Sequence, residues 1–290
     1  MALPPQPWPT GDAEQLEPLV RRVLAPNGSP FTYTGTQTYL VGTAEGVAVI
    51  DPGPDMPEHL AALERAIAGA PVLAICCTHT HRDHSPAAAP LAARTGAPVA
   101  GCAPLVLQSD EPRADAPFDA DYAPDRVLAD GESVTGPGWT LTAVATPGHT
   151  SNHLCFALEE SGALFTGDHV MGWSTTVVAP PDGDMADYMA SLEKLHGRDD
   201  RVYYPAHGPV VAKPRQLVRG MIGHRRQRER QILRLLAQQP QSIAALVPQM
   251  YKGLPQALWQ AAGQSVRAHL IDLERRGVVA HSGDMWRVID

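Results

Sequence analysis

Residues 77–86 read CTHTHRDHSP, and they crowd His79, His81, Asp83 and His84 into six positions directly after the apolar run PVLAICC. Imidazole and carboxylate are the usual donors to borderline divalent metals, so such a run calls for a fold that closes a metal site around it. Side chains alternate faces along a strand, which puts His79 and His81 on the same side of the backbone. Asp83 and His84 then fall in the following turn. Ser85 and Pro86 suggest an N-cap and a first helical position, so the cluster is expected on a strand-to-helix loop.

Three more polar residues stand in the same context, each behind an apolar strand and among small Gly and Pro neighbours that suit tight turns. They are His149 in ATPGHTSNH, Asp168 in LFTGDHV and His207 in YYPAHGP. Five histidines and two aspartates are too many for one tetrahedral zinc but suit two ions joined by a carboxylate. Cys76, Cys77, Cys102 and Cys155 lack CxxC spacing and lie in apolar, strand-like surroundings, so they are expected as buried thiols rather than disulfides or ligands.

Short apolar runs bounded by Gly, Pro and Asp predict strands over 38–42, 46–53, 71–80, 139–150, 153–158 and 162–168. Helical spacing of apolar residues predicts helices over 56–69 and 185–197, which makes the large region a mixture of α and β. The acidic, proline-bearing segment 109–126 has no clear period and reads as a surface loop. The tail differs. A long helix over 217–239 would line Leu217, Met221, Ile232 and Leu235 along one stripe, and Ser242 is expected to N-cap a second helix. A third helix lies within 254–277, and two β-like runs around Ser282, Gly283 and Asp284 suit a hairpin. Three helices followed by a β-wing describe a winged helix, so the chain divides into 1–212 and 213–290.

Charge divides at the same place. Residues 213–290 hold 13 Lys and Arg against 5 Asp and Glu, whereas the preceding 212 hold 10 against 26. A basic tail can favour a polyanion, although Arg225, Arg226, Arg228 and Arg230 fit a solvated helix face better than a phosphate-binding patch. No apolar run approaches the roughly 20 residues that span a bilayer, and the first residues lack the basic and apolar regions of an export signal. A cytoplasmic protein without membrane contact is expected.

Taken in order, THTHRDH, TPGHT, TGDH and PAHGP resemble the metal motifs of the metallo-β-lactamase superfamily. With TYLVG, GDHVMGWSTTVV, YMASLEKL and GHRRQRERQIL, the chain looks most like the beta-lactamase-like protein 2 group, which includes endoribonucleases that prefer single strands. The resemblance implies an α+β fold, an αββα sandwich with the metals at one edge and a C-terminal winged-helix domain. It implies two zinc ions, with iron or manganese as alternatives. His79, His81 and His149 would hold the first, and Asp83, His84 and His207 the second. Asp168 would bridge them, with a hydroxide between as nucleophile and Asp83 orienting it or shuttling its proton. Asp51 reads as a turn or hydrogen-bonding residue rather than a ligand. His153 and His169 are open between substrate contact and support of a ligand.

The reaction expected first is phosphodiester cleavage in single-stranded RNA. Hydrolysis of a small-molecule thioester, lactone or β-lactam uses the same chemistry and is the second reading. The third is a winged-helix nucleic-acid-binding regulator on a metal-binding scaffold. The winged helix is equally open to narrowing substrate access or to building a homodimer.

Overall fold

A computed structural model describes residues 8–106 and 117–289. The first half forms a seven-stranded sheet whose spatial order follows the chain. Its strands are β1 (Ala13–Glu17), β2 (Val20–Leu24), β3 (Gln37–Thr43), β4 (Gly46–Ile50), β5 (Val72–Cys77), β6 (Val99–Gly101) and β7 (Arg126–Val127). From β1 to β4 the strands are antiparallel hairpins. Helices α1 (Pro57–Ile67) and α2 (Ala88–Thr95) then make β4, β5 and β6 parallel, because a parallel pair needs a crossover. The second sheet contains β8 (Ser133–Gly136), β9 (Trp139–Ala145), β10 (Leu154–Leu158), β11 (Ala163–Gly167) and β12 (Val202–Pro205) in the order β12-β11-β10-β9-β8.

Period-two alternation in this second sheet produces the layering. Leu154, Phe156 and Leu158 of β10 join Phe165 and Tyr204 in a core shared with β3, β4, β5 and α1. Cys155, Ala157, Leu164 and Tyr203 face the other way, against α3 (Met185–His196) and α4 (Pro214–Leu236). The inner strands β10, β11 and β12 are thus buried on both faces, which is why they read as largely apolar runs. The result is helices, sheet, sheet, helices, the sandwich expected from the sequence.

A third core holds the C-terminal helices α5 (Ile243–Met250) and α6 (Trp259–Arg275) with a small sheet of β13 (Gln241–Ser242), β14 (Val279–Ser282) and β15 (Met285–Val288). Ser242 caps α5 by accepting the Ala245 N–H at 3.3 Å. Trp286 is buried in this core and Trp259 packs against it. Helix α4 belongs to two cores: Val218, Met221 and Ile222 pack under the second sheet, and Ile232 and Leu236 pack in the winged helix.

Two local expectations change, and a third is described only in part. Helix α2 begins at Ala88, not Pro86, and Ser85 donates to Asp119 Oδ2 at 2.9 Å instead of capping it. The buried stripe of α4 runs through Val218, Met221, Ile222, Arg225 and Ile232, while Leu217 and Leu235 are half-buried at its edge. Part of the acidic segment lies outside the described residues; from 117 to 125 it is irregular, with Phe118 bridging to His81. All four cysteines are free and buried.

Candidate metal centre

The ends of β4, β5, β9, β11 and β12 open at one edge of the sandwich, and each delivers a polar side chain there: Asp51, the THTHRDH run, His149, Asp168 and His207. All seven sequence-predicted residues meet in two groups, His79, His81, His149 and Asp168 in one, and Asp83, His84 and His207 in the other. In the first, His81 Nδ1 lies 3.0 Å from His79 Nε2 and 3.2 Å from His149 Nε2. Asp168 Oδ2 closes it at 3.6 Å from His149 Nε2 and 3.9 Å from His79 Nε2. In the second, Asp83 Oδ2 is 3.2 Å from both His84 Nε2 and His207 Nε2. Here it is the other oxygen of Asp168, Oδ1, that approaches, at 3.2 Å from His207 Nε2 and 3.6 Å from His84 Nε2.

These spacings test whether ions fit. A tetrahedral zinc with bonds of about 2.0 Å holds its donors about 3.3 Å apart, close to the edges of both groups. His84 Nε2 and Asp168 Oδ1 are buried and make no aligned hydrogen bond, which is costly unless a cation lies between them. The donor set, imidazole and carboxylate without thiolate, suits zinc, iron or manganese.

Hydrogen bonds behind the ring nitrogens decide which one faces inward. His149 Nδ1 donates to the Val177 carbonyl at 2.8 Å and His207 Nδ1 to the Gly35 carbonyl at 3.2 Å, so both Nε2 atoms face into the site. His84 Nδ1 lies 3.0 Å from Asp51 Oδ2, and Asp51 also accepts Thr78 N–H at 2.7 Å and Thr78 Oγ1–H at 2.8 Å. Asp51 therefore has the hydrogen-bonding role expected for it. His153 Nε2 accepts the Asp168 N–H at 3.2 Å, which makes it a support of that residue's backbone. His169 is fully buried against the Tyr188 ring, 4.7 Å between centroids.

Charge is distributed unevenly. Burial, with His84 and His81 nearby, drives the His79 pKa well below its ordinary value, and burial with His81 lowers His149 to about 4. Both imidazoles are neutral. Burial opposes charge on His84 and His207 as well, yet the neighbouring carboxylates outweigh it, raising His84 well above its ordinary value and His207 to about 10. Asp83 and Asp168, in turn, are held well below the carboxylate range by the same imidazoles despite burial. The two carboxylates thus call for positive charge among them; protons supply it on the imidazoles, and a divalent cation would supply it in their place.

Comparison with known proteins places this arrangement. Residues 32–207 match the model of the metallo-beta-lactamase superfamily, and residues 242–286 match the beta-lactamase associated winged helix domain. The chain belongs to the metallo-β-lactamase superfamily. Superfamily members are generally metal-dependent hydrolases with a dinuclear centre, and the two groups here are His/Asp clusters that could hold metal ions. A beta-lactamase-like protein 2 homolog of Caenorhabditis elegans is 35% identical over 276 residues, covering 92% of this chain and 88% of that protein. The atrochrysone carboxyl ACP thioesterase AgnL7 of Paecilomyces divaricatus is 34% identical over 236 residues, covering 80% and 67%. A beta-lactamase domain protein from Burkholderia ambifaria shares the fold at a TM-score of 0.80 with 21% identity, covering 97% and 94%. Among the described residues no helix is long and apolar enough to cross a membrane.

Several residues that shape the site carry no motif. Thr36 Oγ1 donates to Asp83 Oδ2 at 2.9 Å, and the carbonyls of Gly35 and Val177 orient two histidines. A carbonyl leaves no trace in residue type. Arg225, in contrast, was detectable: it sits three positions after Ile222 and seven before Ile232 on the buried stripe of α4.

Proposed function

We propose that this chain is a dinuclear zinc hydrolase that cleaves acyl bonds of the thioester or lactone kind. The observation that carries the reading is Asp168, whose two oxygens face two separate sets of donors. Bound divalent cations supply Lewis acidity and make water nucleophilic near neutral pH. The chain's own residues do the rest. Asp51, Val177 and Gly35 fix the rings that present lone pairs, and His153 holds the Asp168 backbone. Asp83, the one half-buried member of the seven, is placed to pass a proton between the site and solvent.

Two observations favour an acyl group over a polyanion. Part of the basic tail's charge is spent internally: Arg226 pairs with Glu193 at 2.8 Å, Arg276 with Glu229 at 2.7 Å and Asp272 at 3.0 Å, and Arg275 with Asp184. Polyanion binding draws on cations left free to meet phosphates. The likeness to an acyl carrier protein thioesterase points the same way. Single-stranded RNA is the second reading, favoured by likeness to the beta-lactamase-like protein 2 homolog along nearly the whole chain, winged helix included.

A substrate panel separates them. Wild type and Asp168→Ala are assayed with acyl thioesters, lactones, β-lactams and a single-stranded RNA oligonucleotide, alongside metal analysis. The proposal expects metal-dependent thioester or lactone turnover that Asp168→Ala abolishes. Turnover of RNA alone, with binding that weakens as salt rises, would replace it with the RNA reading. Equal, negligible turnover throughout with retained duplex binding would identify a regulator.

A further inference from the structure

The arginine-rich stretch of α4 fits a solvated face for Arg226 and Arg230, but Arg225 is only 3% exposed. Its Nη2 donates to the Thr176 carbonyl, and its guanidinium carbon lies 5.0 Å above the centre of the Tyr188 ring. Among the described residues no carboxylate pairs with it. A buried guanidinium without a counter-ion is costly, so its place in the fold directs attention to the backbone it grips.

That backbone is the segment after the bridging aspartate. Thr176 Oγ1 donates to the Asp168 carbonyl at 2.6 Å and lies 3.2 Å from the His169 carbonyl, which also accepts from Tyr188 Oη at 2.9 Å. The next residue, Val177, offers the carbonyl that orients His149. One peptide held by Arg225 therefore borders the supports of two residues of the first group. At its other end the same helix places Ile232 and Leu236 in the core of α5, α6 and the small sheet. Ala268 of α6 packs in the core that contains Tyr188 and Met221.

We infer that Arg225 is a positioning residue for the loop that carries Asp168, and that through it the C-terminal helices shape the metal centre. The inference rests on reading that centre as a dinuclear metal site. Its contribution is made by holding backbone, without contact to substrate. This gives the winged helix a role distinct from nucleic-acid contact, lid or dimer interface.

The test uses the full chain loaded with cobalt(II), reading its visible absorption bands and the rate of metal loss to a chelator. Arg225→Met is expected to shift the bands and speed metal loss about tenfold to a hundredfold, the range typical of removing an outer support. Arg225→Lys, which keeps a charge and a donor, should fall between it and wild type. Ile222→Val loosens the same helix while leaving the Arg225–Thr176 contact in place and should match wild type. Wild-type bands and metal-loss rate in Arg225→Met would overturn the inference; if that variant does not fold, the same result in Arg225→Lys overturns it. Failure of the wild type itself to take up cobalt would sink the metal-centre reading instead.

Discussion

Asp51→Asn isolates the way an outer carboxylate prepares a ligand. Asp51 has φ 48°, a left-handed conformation that Asn tolerates and most other residues do not, so the backbone keeps its shape. Oδ1 still accepts the Thr78 N–H now held at 2.7 Å. Oδ2 becomes an NH2 donor facing His84 Nδ1, 3.0 Å away in the wild type, and facing the Thr78 hydroxyl, 2.8 Å away, which turns to accept from it. Two donors cannot share that contact, so the imidazole proton moves to Nε2 and points at the position a metal would take. The lost bond is charge-assisted and worth about 1.5–3 kcal/mol, or about tenfold to a hundredfold in affinity. Competition with a chelator, equivalent by equivalent, reads it: the ion at Asp83, His84 and His207 should weaken by that factor while the other changes little. Unchanged affinity for both ions would refute the tautomer reasoning, and so would equal loss of both.

Three other perturbations bear on the same account. Burial lowers the pKa of His59 to about 4 and of His269 to about 3, so both stay neutral in the fold while the unfolded chain takes up protons below pH 6.5. Stability should therefore fall with pH from about 6.5 towards 4, by about 1.4 kcal/mol per pH unit for each histidine, and a urea midpoint independent of pH over that range would contradict it. Gly148→Ala places a Cβ 2.2 Å from the Tyr188 amide nitrogen at φ +127°, next to His149; a loss of about 3 kcal/mol or more is expected in urea unfolding, and a wild-type midpoint would show that the turn relaxes. Stripping metal with a chelator should abolish turnover and lower the melting temperature, and adding zinc back at about a hundredfold over its Kd should return about 2.7 kcal/mol per site; turnover surviving the chelator would exclude a metal-dependent reaction.

The seven residues of the site were legible because their chemistry is concentrated. Four stand in one run, and the others follow apolar strands within Gly and Pro turns, a context that signals loop-borne chemistry. The inner strands were legible because burial on both faces writes them as apolar runs, as in VLAICC and LCFAL. Edge strands were not: AEQLE of β1 is exposed or half-buried and carries no apolar run, and its pairing with β2 comes from a tertiary neighbour. The supports of the site were hidden for a different reason. Gly35 and Val177 act through backbone carbonyls, and Thr176 acts through a partner, Arg225, that arrives from 49 residues away. Compositional charge misled at that point, because a basic run on a helix says nothing of which arginine faces inward until its apolar stripe is traced.

The central claim is that Asp168 stands between two cations. Anomalous diffraction from crystals of the zinc-loaded protein tests it most directly. Two peaks about 3.5–4 Å apart are expected, one among His79, His81 and His149 and the other among Asp83, His84 and His207, with one Asp168 oxygen directed at each. A single peak, or none, with Asp168 engaged only by protonated His84 and His207, would contradict it.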